Sequence, residues 1–547
     1  MSAANERRRP LVRVARALCL VALLGAHRGA PARAEEPADA AAAPAPNPSP
    51  KWAPPELQRR IDAAIDRGVA YLSARQGETG KWLRPLTETG MAWDVGHNAL
   101  CGLALRHGGV PASDPRVRSA RDAVATSLRS RWSRHRNQPA VDVYAAGLAV
   151  QFLLDAGARS DDELVVGTVA MLDDAYCSDG SWDYLPIWAA PPRSRQGVAS
   201  SARGATGNCS TTLYALFGLR AAHARGIPVS DTAALRLRAT VMQAQCPDGG
   251  FYYKIFEPSI VGGRPTGDPE YFGATVSWLA SYLMAGEISG ACTSPEEAAK
   301  DPLQVKAAAW LSEHMDQAGW RISGRDAHIS CATYNLYALE RVGMLLDSTK
   351  VGSTSWYEDG ARELLAHQQS NGSWQVSVNP GAYPPWLRTA FAVLFLARAT
   401  EPIGRATTPR DRFAVTGSTT DGFDLTGAWR LRRLEWYDLY HAAVERMSTL
   451  SGARRAEFAA RFSGFGPRIV RVLVGDLDSD DPSRRAAAND VLRALTGEEL
   501  DYDPEGTPSS RRSATEFWTR WLGAFEARLR LVDGKLVIGP AEGEDER

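Results

Sequence analysis

The sequence predicts an all-α protein, an (α/α)6 toroid of six helical hairpins followed by a small helical C-terminal region. Three observations carry this reading. Two kinds of helix-forming stretch, one amphipathic with a charged face and one apolar nearly all round, alternate six times. A turn with fixed glutamine, glycine and aromatic spacing closes the amphipathic kind. Both patterns stop after about residue 400.

The fullest copy of the turn runs from Arg67 to Trp82, R-G-V-A-Y-L-S-A-R-Q-G-E-T-G-K-W. Tyr71 and Leu72 continue an apolar face from Ile61 and Ile65, Gly77 and Gly80 stop the helix, and Gln76 and Trp82 bracket the turn. A glutamine amide satisfies carbonyls left open at a helix end, and an indole packs over the junction. The spacing returns as Gln245, Gly249, Phe251 and as Gln368, Gly372, Trp374, with partial copies at Trp182 and Trp320. Turn aromatics therefore fall at 82, 132, 182, 251, 320 and 374, a period near 50 residues once the loops Tyr184–Gly207 and Lys254–Asp268 are set aside. Outer helices are expected at 57–75, 116–131, 161–176, 231–245, 302–316 and 357–369. Inner helices are expected at 96–107, 142–155, 209–224, 272–285, 328–342 and 386–399, with Leu-Tyr-Ala-Leu at 213–216 and 336–339. Helices without a charged face are buried, so concentric rings follow, and an open superhelix of the same hairpins is the rival.

Glutamine, three residues, glycine, one residue, tryptophan resembles the repeat of the squalene cyclase and protein prenyltransferase family over about residues 57 to 400. The resemblance implies the closed terpenoid cyclase-like toroid and says little about chemistry. Its cyclases take their acid from Asp-x-Asp-Asp; the match here, Asp478-Ser479-Asp480-Asp481, precedes a C-terminal helix and reads as a cap. No Asp-Asp-x-x-Asp motif and no Cys-Gly-Glu-Gln thioester motif occurs. The prenyltransferase pattern implies zinc ligands at Cys209 and His328, although Gly207 stands where that pattern has aspartate; His97 and Cys331 complete a candidate metal set, and Cys101, four residues after His97, could add a sulfur on the same face. No other cofactor is implied.

Before the repeats, Arg7, Arg8, Arg9, Arg13 and Arg16 precede an apolar run from Ala17 to Ala26 and an Ala32-Arg33-Ala34 cleavage site, the pattern of a signal peptide over residues 1–34. The run is too short to span a bilayer, so an exported, periplasmic or secreted protein that is not transmembrane is expected. Export removes seven arginines and one glutamate from 63 basic and 63 acidic side chains, leaving 56 and 62, a net charge of −6 that argues against nucleic-acid partners. Residues 35–55 read as a Pro/Ala-rich tether, 56–400 as the toroid, 401–427 as a linker and 428–547 as a helical region with a HEAT-like segment at Asp481-Pro482 to Gly497. Trp429, Leu434, Trp436, Tyr437, Leu439, Tyr440 and Val444 are available to dock, and too few HEAT-type repeats are present to stand alone, so docking on the toroid or a protein partner is implied.

Candidate site residues lie near the inner-helix starts. Asp94, His97, Asp142, Tyr144 and His328 are candidate catalytic groups, and Tyr271, Tyr334, Trp386 and Arg388 candidate ligand contacts. Small residues such as Gly102, Ala145, Ala146, Gly147, Gly273 and Ala274 are expected to leave a cavity about 20 Å deep. Aromatics including Trp278 and Phe391 would line it, suiting an apolar or lipid-like small molecule. Two function classes stay open: a ligand-binding or scaffold protein, and an enzyme using the cavity for cyclase, prenyltransferase or polysaccharide lyase or hydrolase chemistry. N-terminal sequencing of the exported product should begin near Glu35, and cytoplasmic material retaining Met1 would refute the signal reading.

Overall fold

The computed structural model describes residues 52–82, 94–133, 138–139, 141–184, 207–254, 260–261, 264–265, 272–315, 332–374, 384–404, 425, 427–428, 431, 433–498, 502–532 and 535–539. All lie in one compact unit, Ser49–Arg547. The segment read as a signal peptide, most of the tether and linker, Trp320 and Trp429 are outside the described residues.

Helices dominate because the sequence supplies both periodicity and ends. The outer series is α1 (Pro55–Arg75), α3 (Pro115–Ser130), α5 (Glu163–Asp174), α7 (Asp231–Ala244), α10 (Pro302–Glu313) and α12 (Trp356–His367). The inner series is α2 (Asp94–His107), α4 (Val143–Asp155), α6 (Cys209–His223), α8 (Phe272–Ile288), α11 (Ala332–Leu345) and α13 (Pro385–Ala397), and a single turn, α9 (Pro295–Ala298), precedes α10. Four of the six outer helices, α3, α5, α7 and α10, start on side-chain caps: Asp114, Asp162, Ser230 and Asp301 each accept a backbone N–H of the first turn. Inner helices are buried nearly all round, as their composition requires. Around the inner series, α2 packs on α4, α4 on α6, α6 on α8, α8 on α11, α11 on α13, and α13 against α2.

The glutamine turn makes more bonds than its sequence suggests. Gln76, Gln245 and Gln368 are the C-cap residues of α1, α7 and α12. Each amide donates twice: across its own turn, to the carbonyls of Gly80, Gly249 and Gly372, and to the next outer helix, at Arg116, Leu303 and Ala64. The last of these joins the sixth hairpin to the first, supported by Arg67 donating to Gln368 Oε1. Three indoles repeat one contact, with Trp82, Trp182 and Trp374 donating Nε1–H to the carbonyl ten residues earlier at 2.8–2.9 Å. Backbone N–H groups of Trp82, Trp182, Phe251 and Trp374 reach Asn98, Thr212, Thr275 and Thr389 on the following inner helices. Trp132 does not join this series. It lies in a two-residue ladder, Trp132–Ser133 with Gln138–Pro139, and packs toward Gly167.

The small inner-helix residues do other work than sequence reasoning gave them. A Cβ on Gly102 would sit 2.4 Å from the Phe152 ring, and one on Gly147 would sit 1.8 Å from the Tyr214 carbonyl. These glycines let neighbouring inner helices touch rather than opening space. The tether also ends earlier than residue 55: Ala53 is buried and Trp52 packs edge-on against Trp356 at 5.9 Å.

A second core forms from α14 (Arg433–Ser448), α15 (Gly452–Ala460), α16 (Ile469–Asp476), α17 (Pro482–Thr496), α18 (Pro508–Phe525) and the hairpin Leu529–Val532 with Lys535–Ile538. Asp481 caps α17 through Ser483 N–H, and Gly497 closes it in the left-handed region. Of the residues available to dock, Trp436, Leu439, Tyr440 and Val444 fill this core instead. Docking falls to the polar face of α14. Arg433 bonds Asp62, Asp66 and the Gly108 carbonyl, Asp438 takes both bonds from Arg106 Nη2, and Tyr437 covers Gly109.

Gly372 and Gly157 provide a controlled pair for the clamp, having φ of 87° and 88°. A Cβ on Gly157 meets nothing, whereas one on Gly372 lies 2.3 Å from the Arg67 carbonyl. Gly157→Ala should cost about 1 kcal/mol, and Gly372→Ala about 3 kcal/mol or more, in urea unfolding. Equal losses would refute the clamp.

Candidate functional site

The inner-helix N-termini gather most of the described candidates at one end of the helices. Asp94 opens α2, and its carboxylate is already engaged, taking Arg131 at 2.8 Å and the Ser127 hydroxyl. One turn on, half-buried His97 sets its ring 5.5 Å from Trp386, near the start of α13. Asp142 is the N-cap of α4 and accepts Ala145 N–H at 2.8 Å. Burial pushes its carboxyl up to about 6, against the lowering effect of that bond. Arg388 is buried, and its burial lowers the guanidinium from its ordinary value.

Aromatic rings meet between helices below these groups. Tyr144 stacks on Tyr214 at 3.9 Å, Tyr214 lies 6.2 Å from Tyr334, and Tyr334 meets Phe391 edge-on at 6.1 Å. Tyr334 also shares a hydrogen bond with Ser277 at 3.1 Å. This chain crosses from α4 and α6 to α11 and α13, so the aromatics occupy the space they were expected to line. Trp278 is fully buried and donates to the Tyr252 carbonyl, a packing role.

Of the candidate metal set only His97 and Cys209 lie among the described residues. Among the described residues no three histidine, cysteine, aspartate or glutamate side chains gather, and His328, Cys331 and Tyr271 lie outside them. Cys209 is buried as the first residue of α6. Gly207 has a steric cause: a Cβ there would fall 2.1 Å from the Trp182 carbonyl, so aspartate has no room. Cys101 is enclosed, and burial pushes its thiol well up. No disulfide joins the five described cysteines, Cys101, Cys177, Cys209, Cys246 and Cys292, to one another. Asp478, of the Asp-x-Asp-Asp match, has a side chain 67% exposed, unlike an enclosed acid.

Sequence reasoning missed the charged cluster at the other end of the inner helices. Asp155 receives His107, Gln151 and Arg225 at 2.6–3.1 Å and is held far below the usual carboxylate range despite its burial. Arg220 pairs with Glu287 at 2.5 Å and donates to the Glu401 and Pro402 carbonyls. Between these helix ends and α14 lies a cavity of about 320 Å³, with Arg106, Asp155, Arg220, Arg225 and Asp438 in its wall. The available signal was charge at the ends of otherwise apolar helices.

No family model and no curated protein matches the chain. Among solved structures, the type II terpene cyclase MstE from Scytonema is 18% identical, covering 62% of this chain and 98% of that one at a TM-score of 0.42. A variant of the same cyclase in complex with geranylgeranyl dihydroxybenzoate is 17% identical, covering 63% and 98% at 0.43. A protein from Actinoplanes is 16% identical, covering 62% and 99% at 0.39. These TM-scores lie below one half, so the account of this chain rests on its own geometry. No helix among the described residues is long and apolar enough to cross a membrane.

The Asp142 carboxyl makes the site's pH behaviour testable. Its folded value lies above its ordinary one, so the stabilisation is complete below about pH 4 and is lost as pH rises through about 6. Asparagine keeps the cap and removes the titration. Between pH 4 and 7, wild type should lose on the order of 3 kcal/mol relative to Asp142→Asn in urea midpoints. Parallel profiles would refute a buried, perturbed Asp142.

Proposed function

We propose that this chain is an exported (α/α)6 toroid that acts as a binding and scaffold protein, without the cyclase chemistry of the family its repeats resemble. The carrying observation is that the candidate acids are already engaged, Asp94 with Arg131 and Asp142 with Ala145 N–H, while Tyr144, Tyr214, Tyr334 and Phe391 occupy the interior. An acid strong enough to protonate an alkene needs an undisturbed proton and room for substrate beside it. The cyclic packing of the inner helices and the bond from Gln368 to Ala64 support closure over an open superhelix.

Above the aromatic floor, His97, Tyr144, Trp386 and Arg388 offer an apolar surface with two polar groups, which suits an apolar or lipid-like molecule at the mouth. The C-terminal helices, HEAT-like in sequence and with their own core, are the surface proposed for a protein partner. The signal-peptide pattern supports a periplasmic or secreted location. A second reading, catalysis at the same mouth, is favoured by Asp142, whose raised carboxyl is suited to general acid–base work near neutral pH.

Native mass spectrometry of freshly purified protein, followed by solvent extraction, tests the binding reading. An apolar adduct is expected, at least tenfold depleted in Trp386→Ala. Bare protein from several preparations would remove the ligand and leave the scaffold role.

A further inference from the structure

The cavity of about 320 Å³ between the inner-helix ends and α14 is bounded by two separate cores and filled by neither. Leu154 on α4 and Phe217 and Ala221 on α6 line it from the first core. Leu434 lines it from α14, and although buried it belongs to neither core. A buried apolar side chain that joins no core is open to an apolar group placed against it.

Polar capacity is left over on both sides of this space. Arg220, 8% exposed, spends Nε on Glu287 and Nη2 on the Glu401 and Pro402 carbonyls, which leaves Nη1 without an acceptor among the described residues. Arg225 makes one bond, from Nη2 to Asp155, which leaves Nε and Nη1. None of these three nitrogens is enclosed by protein, and both arginines line the cavity. On the α14 side, each Asp438 oxygen accepts one bond from Arg106 Nη2, and a carboxylate oxygen can accept a second. The Asp438 side chain is 35% exposed and lines the same cavity.

Charge and size then select the ligand. The wall carries three arginines and four carboxylates and is close to neutral, so a plain anion or a plain cation would enter with its charge uncompensated. A zwitterion brings both charges at once, a carboxylate for the spare N–H groups and an ammonium for Asp438. The C-terminal ends of α2, α4 and α6 meet here, at His107, Asp155 and Ala224, and helix carbonyl ends favour an ammonium. The volume lies at the lower end of the ~300–1,000 Å³ range of ligand pockets, which suits a molecule of amino-acid size.

We propose that this cavity binds a free α-amino acid with an apolar side chain, its carboxylate on Arg220 and Arg225, its ammonium on Asp438 and its side chain against Phe217 and Leu434. The site is at the opposite end of the inner helices from the mouth, and it does not depend on an apolar ligand binding there.

Isothermal titration calorimetry on the full chain is the test, with leucine and phenylalanine against two one-ended analogues of leucine, isocaproate without the ammonium and isoamylamine without the carboxylate. Each amino acid should bind once per chain, and each analogue at least tenfold more weakly than leucine. Leu434→Trp fills the cavity from α14 without removing a charge and should abolish leucine binding. Arg225→Lys keeps the pair with Asp155 but gives up the second edge of the guanidinium; it should weaken leucine several-fold, and it decides the question if Leu434→Trp fails to fold. Trp386→Ala, at the mouth, should leave leucine affinity unaltered, which separates this site from the one proposed there. No binding of either amino acid, analogues that bind as tightly as leucine, or leucine binding undiminished in both cavity variants overturns the proposal.

Discussion

The structure depends on a hydrogen bond that reaches past its own hairpin. Each C-cap glutamine amide has two donors, one spent on its own turn and one on the next outer helix, so the turn that ends one helix also positions its neighbour. Glycine is required where this happens because the neighbouring backbone sits against it, at Ser119 for Gly80, Lys306 for Gly249 and Arg67 for Gly372. The indole then ties the turn back to its own helix. Phe251 occupies the same place without a donor, so that copy keeps the packing and loses one bond.

Helix positions were legible because they are local properties. Periodicity, proline starts and aspartate or serine caps fix the ends to within a few residues, as at Pro115, Asp231 and Pro302. What faces what was not legible. Glycine on an apolar helix means either open space or a touching neighbour, and only the positions of Phe152 and the Tyr214 backbone decide for Gly102 and Gly147. The same limit hid the interior cluster. Leu-Tyr-Ala-Leu recurs at 213–216 and 336–339, but that both tyrosines flank the Arg341 guanidinium is a relation between helices far apart in the chain.

The site was legible as residue types and illegible as states. Asp94 and Asp142 could be picked out at helix starts, yet Arg131 and the Ala145 N–H decide that both carboxylates already have work. Charge was misjudged in the C-terminal region too. Trp436 and Tyr440 looked like docking residues by hydrophobicity, whereas the docking surface is Arg433 and Asp438 against Asp62, Asp66 and Arg106, with Tyr437 between. Such a joint is stronger where water is excluded, and Arg106 and Arg433 are both largely buried.

The bond between Gln368 and Ala64 spans 304 positions of the chain. Contacts of such sequence separation carry a large loop-closure entropy and form late. Until α12 and α13 have folded, α1 lacks the partner for its inward face, and α2 has only α4 as an inner neighbour. The first hairpins are therefore aggregation-prone for as long as the last is missing, and the same physics that completes the cycle makes assembly hold until the end of the repeats.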